Sequence, residues 1–236
     1  DLLVSDGDGN AVAIFNRITG VYDTVLEGGI DAPEGMALDG DGHLLVVSRG
    51  TGSVERFDLE TRSHMGSAID AGTGGLDQPR GILVPGDGTI LVTSINNAVL
   101  EFDLGGQFIR ELIPGGPTDL VDPRGMVMRP GGTLLVTSHG TNSILEYDRQ
   151  SGEYLGRYDR GGLPTGYWGL GQPWALRLGP DGDVYVSTHD ANTAVQVYEE
   201  STGLFKRRFY ILSQLITAPT GFDFAPPIEG DCDGSL

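Results

Sequence analysis

The 236 residues carry 33 acidic side chains against 15 basic ones, a formal net charge of −18, and Lys206 is the single lysine. A chain this acidic argues against nucleic acid and anionic membranes as general partners and suits solubility in a salty extracellular medium. No apolar run approaches the roughly 18 residues of a membrane-spanning helix, and a lone cysteine, Cys232, leaves no internal disulfide. Glycine supplies 38 residues, about twice the usual share, as expected where many tight turns need positive φ.

In chain order, DLLVSDGDGNAVAIFN reads as two short strands and VYDTVL as a third. The connection Asp6-Gly-Asp8-Gly-Asn10 begins like a calcium loop, in which alternate oxygens converge on one cation. Ala11 then stands where the turn glycine belongs and Arg17 where the bidentate acid belongs, so a plain turn is the better reading. Next come PEGMALDGDGHLLVVSRGTGSVERFD (33–58), PRGILVPGDGTILVTSINNAVLEFD (79–103), PRGMVMRPGGTLLVTSHGTNSILEYD (123–148) and PWALRLGPDGDVYVSTHDANTAVQVYE (173–199). Each holds three strand-like runs and is followed by a fourth.

The opening prolines Pro33, Pro79, Pro123, Pro173 and Pro219 lie 46, 44, 50 and 46 residues apart. Periods of roughly 40–50 residues with four strands each mean propeller blades. The expectation is an all-β, five-bladed β-propeller of four-stranded antiparallel blades over residues 1–227. Blade 1 combines 1–30 with 219–227, and blades 2 to 5 are 33–78, 79–122, 123–172 and 173–218. PTGFDFAPP at the C-terminal end matches an innermost strand, and pairing it with the three N-terminal strands closes the ring and removes a free edge. The count of five supposes a complete chain; the missing initiator Met and signal peptide point to a processed or trimmed one.

The turns DGDG (39–42), PGDG (85–88), RPGG (129–132) and GPDG (179–182) fall between first and second strands, on one face, with solvated acids. Phe15, Phe57, Phe102, Tyr147 and Tyr198 hold equivalent third-strand positions, mostly followed by Asp. A ring of aromatics at one point in every blade is the packing between neighbouring sheets.

The P-x-G opening, the DG turn, the L-x-V-[ST] strand and the V-x-x-[FY]-D strand resemble NHL-type repeat propellers, relatives of the SMP-30/gluconolactonase-like and virginiamycin-B-lyase-like propellers. The resemblance implies the fold; such propellers serve as hydrolases, lyases, oxidoreductases and binding scaffolds, so it does not imply one activity.

In such a blade the start of the first strand and the end of the second reach the same channel mouth. The residues after the opening prolines are Glu34, Arg80, Arg124, Trp174 and Thr220; those after the second-strand Ser or Thr are Asp6, Arg49, Ile95, His139 and His189. Irregularity inside a regular repeat marks where a site sits. Three readings stand side by side. The SMP-30-like resemblance implies oxygen ligands for a divalent cation after the opening proline, where only Glu34 fits. A different metal set, Asp6, His139 and His189, suits zinc. In the second reading Arg49, Arg80 and Arg124 grip a carboxylate or sulfate, and Trp174 with Tyr167 and Trp168 from the insertion 161–172 forms a stacking wall. His139 or His189 then acts as general base, which describes a lyase or hydrolase on an anionic carbohydrate or lactone. In the third, the arginines pair with loop acids such as Asp77, Asp119 or Asp122, the histidines bond neighbouring loops, and Tyr167 and Trp168 plug the channel.

The tail 228–236, IEGDCDGSL, is acidic, and GDCDGSL resembles the start of a dockerin-type calcium repeat with Asp231 and Asp233 as first ligands; a flexible terminus is the alternative. Taken together, the sequence describes a secreted bacterial propeller at the cell exterior, for recognition or scaffolding of a protein or carbohydrate ligand, with self-association among its expected roles and without membrane insertion. Catalysis at the mouth is the alternative.

Overall fold

A computed structural model of the chain describes residues 2–116, 119–161, 169–189 and 194–210. It is an all-β, five-bladed propeller whose sheets are up-and-down and antiparallel throughout. Blade 1 holds β1 (Leu2–Asp6), β2 (Ala11–Phe15) and β3 (Tyr22–Leu26). Blade 2 holds β4 (Pro33–Leu38), β5 (His43–Ser48), β6 (Ser53–Asp58) and β7 (Ser63–Ile69). Blade 3 has β8 (Ile82–Leu83), β9 (Thr89–Ser94), β10 (Ala98–Asp103) and β11 (Phe108–Ile113). Blade 4 has β12 (Pro123–Met128), β13 (Thr133–Ser138), β14 (Ser143–Asp148) and β15 (Tyr154–Arg157), and blade 5 has β16 (Pro173–Leu178), β17 (Val184–Thr188), β18 (Ala194–Tyr198) and β19 (Phe205–Tyr210). The expected closing strand at 219–227 and the tail 228–236 lie outside the described residues.

Second and third strands read as near-continuous apolar runs because each blade is sandwiched between two others and both its faces are covered. Leu44 to Val47 of β5 and Leu134 to Val136 of β13 are all buried. The core is therefore a set of seams between blades. Phe57 joins Val12, Ile14 and Leu26 of blade 1. Phe102 joins Leu45, Val54 and Ile69 of blade 2, Tyr147 joins Leu91, Val99 and Leu112 of blade 3, and Tyr198 joins Leu135, Ile144 and Tyr158 of blade 4. The aromatic ring expected from the repeat is this seam packing, with Phe15 only half-buried. Every one of these rings also meets a second ring at the start of its outer strand, at 5.1–5.9 Å between centroids: Tyr22, His64, Phe108, Tyr154 and Phe205 in turn. The pairs of Phe15, Phe102 and Tyr198 are edge-on, a geometry that adds roughly 0.5–1.5 kcal/mol beyond the area buried.

The turns between third and fourth strands press on the preceding blade. Gly106, Gly152 and Gly203 have φ of 83°, 75° and 70°, and a Cβ there would overlap the carbonyl oxygens of Ala68, Leu112 and Tyr158 respectively. Gly132, at φ 83° in an exposed turn, has open space around it. Gly152→Ala is expected to cost about 2–4 kcal/mol in urea unfolding, through clash and strain together, against about 1 kcal/mol for Gly132→Ala, through strain alone. Equal losses would show that the turns do not bear on the seams.

The candidate site at the channel mouth

The inner strands approach one another so closely that side chains cannot fit between them. A Cβ on Gly35, Gly81 or Gly125 would meet the carbonyl oxygen of Arg80, Arg124 or Trp174 in the next blade. The Gly35 N–H donates to the Arg80 carbonyl at 2.9 Å. Thr93 and Thr137 bridge the same gap: their hydroxyls accept from the N–H of Gly81 and Gly125, both at 2.7 Å, and donate to the carbonyls of Arg124 and Trp174 at 3.3 and 2.9 Å. In blades 2, 4 and 5 the register between first and second strands breaks just after the proline. Such a break re-aims a side chain out of the ladder, and the residue after the proline reaches the mouth.

The strand-end hydroxyls tie the incoming linkers down. Ser48, Ser94 and Ser138 accept from the N–H of Asp31, Asp77 and Val121 at 2.9–3.0 Å. The residues that precede the prolines, Ala32, Gln78, Asp122 and Gln172, all have φ between 38° and 49°. A non-glycine residue there is strained and persists only where its surroundings hold it. In three of the four an asparagine from the preceding blade does so, accepting the N–H through its side-chain oxygen: Asn10 for Ala32, Asn97 for Asp122 and Asn142 for Gln172, at 2.7–3.0 Å.

On this frame the sequence-predicted residues Glu34, Arg49, Arg80, Arg124, His139, Trp174 and His189 come together. Glu34 sits among three arginines of three blades: Arg80 Nη1 and Arg49 Nε lie 2.9 Å from its Oε1, and Arg124 Nη1 lies 3.4 Å from its Oε2. Asp122 takes Arg124 Nη2 at 2.7 Å and His139 Nδ1 at 3.2 Å on its Oδ2. Arg124 is buried, 6% exposed, and its guanidinium lies 3.9 Å from the Trp174 ring centroid. His139 and His189 meet the same indole edge-on, at 5.5 and 5.1 Å. Among the described residues, three guanidiniums against two carboxylates leave the cluster one positive charge in surplus on a strongly acidic chain.

Burial pushes the Glu34 carboxyl up, and the three arginines do not fully offset it. For Asp122 burial also pushes upward, but hydrogen bonds from His139 and Arg124 and the charges of Arg124 and Arg80 outweigh it and hold the group at about 2.

The pairing of Arg124 with Asp122 is the internal arrangement the third sequence reading anticipated. Asp122 entered that reading only as one loop acid of several; its φ of 49° before Pro123 is not a conformation that a following proline favours, so no local pattern marks its central place. Asp6 is committed locally, its Oδ1 accepting from the N–H of Asp8 and Gly9 at 3.2 and 2.9 Å. Among the described residues no group of three His, Cys, Asp or Glu is placed to hold a metal, so Asp6, His139 and His189 are not brought into one ligand set. Tyr167, Trp168 and Thr220 lie outside the described residues.

No protein-family model matches the chain, and no curated protein matches it. Solved structures of similar shape include propellers. The chain superposes on nidogen in a nidogen/laminin complex with a TM-score of 0.67 at 18% identity, covering 85% of this chain and 72% of that one. A chain of Kuenenia stuttgartiensis hydrazine synthase gives 0.60 at 20% identity, over 84% of this chain and 59% of that one. A protein of unknown function from Bacteroides caccae gives 0.63 at 18% identity, over 88% and 72%. At these identities the likeness concerns the fold.

Because Asp122 titrates at about 2 in the folded protein against an ordinary 3.8, it contributes stability that is present above pH 4 and lost as the pH falls toward 2. The shift corresponds to about 2 kcal/mol. Glu34, shifted the other way, contributes below its ordinary value and loses that contribution as the pH rises. Asp122→Asn should therefore flatten the acid limb of the urea-unfolding free energy between pH 4 and 2 by about 2 kcal/mol; an unchanged limb would refute the assignment.

Proposed function

We propose that this protein is an extracellular recognition propeller that binds a partner protein over the channel mouth and holds it without transforming it. The observation that carries the reading is the convergence of side chains from blades 2 to 5 on one mouth, fixed to each other by Glu34, Asp122 and Trp174. A surface locked in this way loses little conformational entropy on binding. Nidogen, a propeller of similar fold, is seen in complex with laminin, which supports a protein partner. The resemblance to NHL-type repeats and the strongly acidic composition support placing it among secreted repeat propellers. Self-association through the faces of the disc belongs to the same reading.

The alternative, a lyase or hydrolase acting on an anionic carbohydrate or lactone, has one observation in its favour. Asp122 holds His139 through Nδ1, and His139 Nε2, a buried atom, has no hydrogen-bond partner among the described residues. A carboxylate-oriented imidazole with its second nitrogen unengaged is the arrangement of a general base.

Peptide and glycan arrays probed with the labelled protein separate the two. The expected result is a peptide ligand whose affinity falls about tenfold or more in Trp174→Ala, with the fold confirmed by circular dichroism, and is unchanged in Met65→Ser or Ile109→Ser on the outer strands. Ligands lost in the outer-strand variants alone would move recognition to the rim. Turnover of a bound sugar or lactone that disappears in His139→Ala would establish the alternative.

A further inference from the structure

We infer that Arg49 is a carboxylate-docking residue, and that the group it receives is the side chain of an acidic residue on a protein partner; this rests on the mouth being the recognition face. Several arginines commit a terminal nitrogen to the protein's own acids. Arg80 uses Nη1 on Glu34, Arg124 uses Nη2 on Asp122, Arg129 uses Nη1 on Glu146, and Arg149 uses Nη2 on Asp87 and Glu101. Arg49 differs. Its one ion pair is through Nε to Glu34, close at 2.9 Å but not aligned as a hydrogen bond. Its Nη1 and Nη2 make no hydrogen bond among the described residues, and the side chain is 39% exposed. It is anchored from behind, its own N–H donating to the Ala32 carbonyl at 3.3 Å.

A planar fork fixed at its stem and open at its tip matches a carboxylate in two parallel hydrogen bonds. The charge balance agrees, since the surplus positive charge of the cluster is cancelled by one incoming carboxylate. The chain's distant acids oppose this weakly, because fields beyond about 8 Å are screened at physiological ionic strength. The Trp174 environment selects the source. A uronic acid would also carry a carboxylate, but a sugar ring binds by stacking on an open aromatic face. One face of the indole is covered by the Arg124 guanidinium, and both histidines crowd it edge-on. An acidic side chain on an extended loop needs no such platform.

The test titrates the full chain with a blocked tetraglutamate peptide, its tetraglutamine counterpart and a tetraglucuronate, by calorimetry and by the Nε–H resonance of Arg49. Tetraglutamate is expected to bind and to shift that resonance. Its affinity should fall about tenfold or more in Arg49→Gln and in 0.5 M salt, and stay unchanged in Arg160→Gln, an exposed arginine beyond the mouth. Arg49→Lys should recover only part of the loss, because a point charge does not reproduce the fork. Equal binding of tetraglutamine, full binding by Arg49→Gln, or Arg49-dependent binding of tetraglucuronate alone would overturn the inference. Should tetraglutamate fail while Trp174→Ala still abolishes an array ligand, the carboxylate assignment falls and the recognition face stands. Loss of both would remove the face itself.

Discussion

The close approach of inner strands at Gly35, Gly81 and Gly125 governs the rest of the molecule. With no room for a Cβ between one blade and the carbonyl oxygen of the next, the preceding residue has one outlet, toward the mouth. Three consecutive blades use that outlet for Glu34, Arg80 and Arg124; in blade 5 Trp174 takes the equivalent position although Ala175, not glycine, follows it. Charges crowded into partly buried space cannot stay unpaired, since leaving one ion of a buried pair alone costs several kcal/mol. The carboxylates of Glu34 and Asp122 follow from that necessity. The network of the mouth is thus a consequence of backbone proximity before it is a binding device.

The same logic operates on the opposite face, where turns rather than strands meet. Arg149 reaches from blade 4 to Asp87 and Glu101 of blade 3, Arg129 of blade 4 to Glu200 of blade 5, and Arg56 of blade 2 to the Leu104 carbonyl of blade 3 at 2.7 Å. A chain with few basic residues has placed several of them across seams. Exchanging such pairs for apolar residues would cost little stability; what they supply is register, since apolar seams alone are indifferent to small slides between blades. The mouth differs in that its arginines exceed its acids, and the surplus falls on the most exposed of them, Arg49.

Much of this was legible in the sequence because a repeat reports its architecture many times over. The spacing of the prolines specified the blades, and the aromatic position specified the seams, since Phe57, Phe102, Tyr147 and Tyr198 must share one environment. The mouth residues were legible by position and only partly by partnership. Arg80 and Arg124 were expected at the rim, but that Glu34 serves both, together with Arg49, depends on channel width, which no local pattern records. The strand-end serines looked like ordinary strand residues, yet Ser48, Ser94 and Ser138 pin the linkers. The asparagines Asn10, Asn97 and Asn142 read as turn formers, and their second role, accepting an N–H from the next blade, emerges only when blades are side by side. Asp6 folds back on its own turn and the two histidines face Trp174, directions that a list of positions at one rim does not record.

Strain at the mouth invites a functional explanation, and the repeat tests it. Ala32, Gln78, Asp122 and Gln172 share the same left-handed backbone, although only Asp122 carries a charge and only Asp122 holds an arginine and a histidine. Strain common to four blades belongs to the way each linker enters its inner strand, and three of the four are held by the same asparagine contact. What is particular to the site is the side chain mounted on that backbone. The strained turn fixes the direction in which Asp122 points to within a rotamer, and a carboxylate so fixed can orient both Arg124 and His139. The architecture supplies a rigid mounting four times over among the described residues, and the identity of the residue on it decides whether the position bears load or bears chemistry.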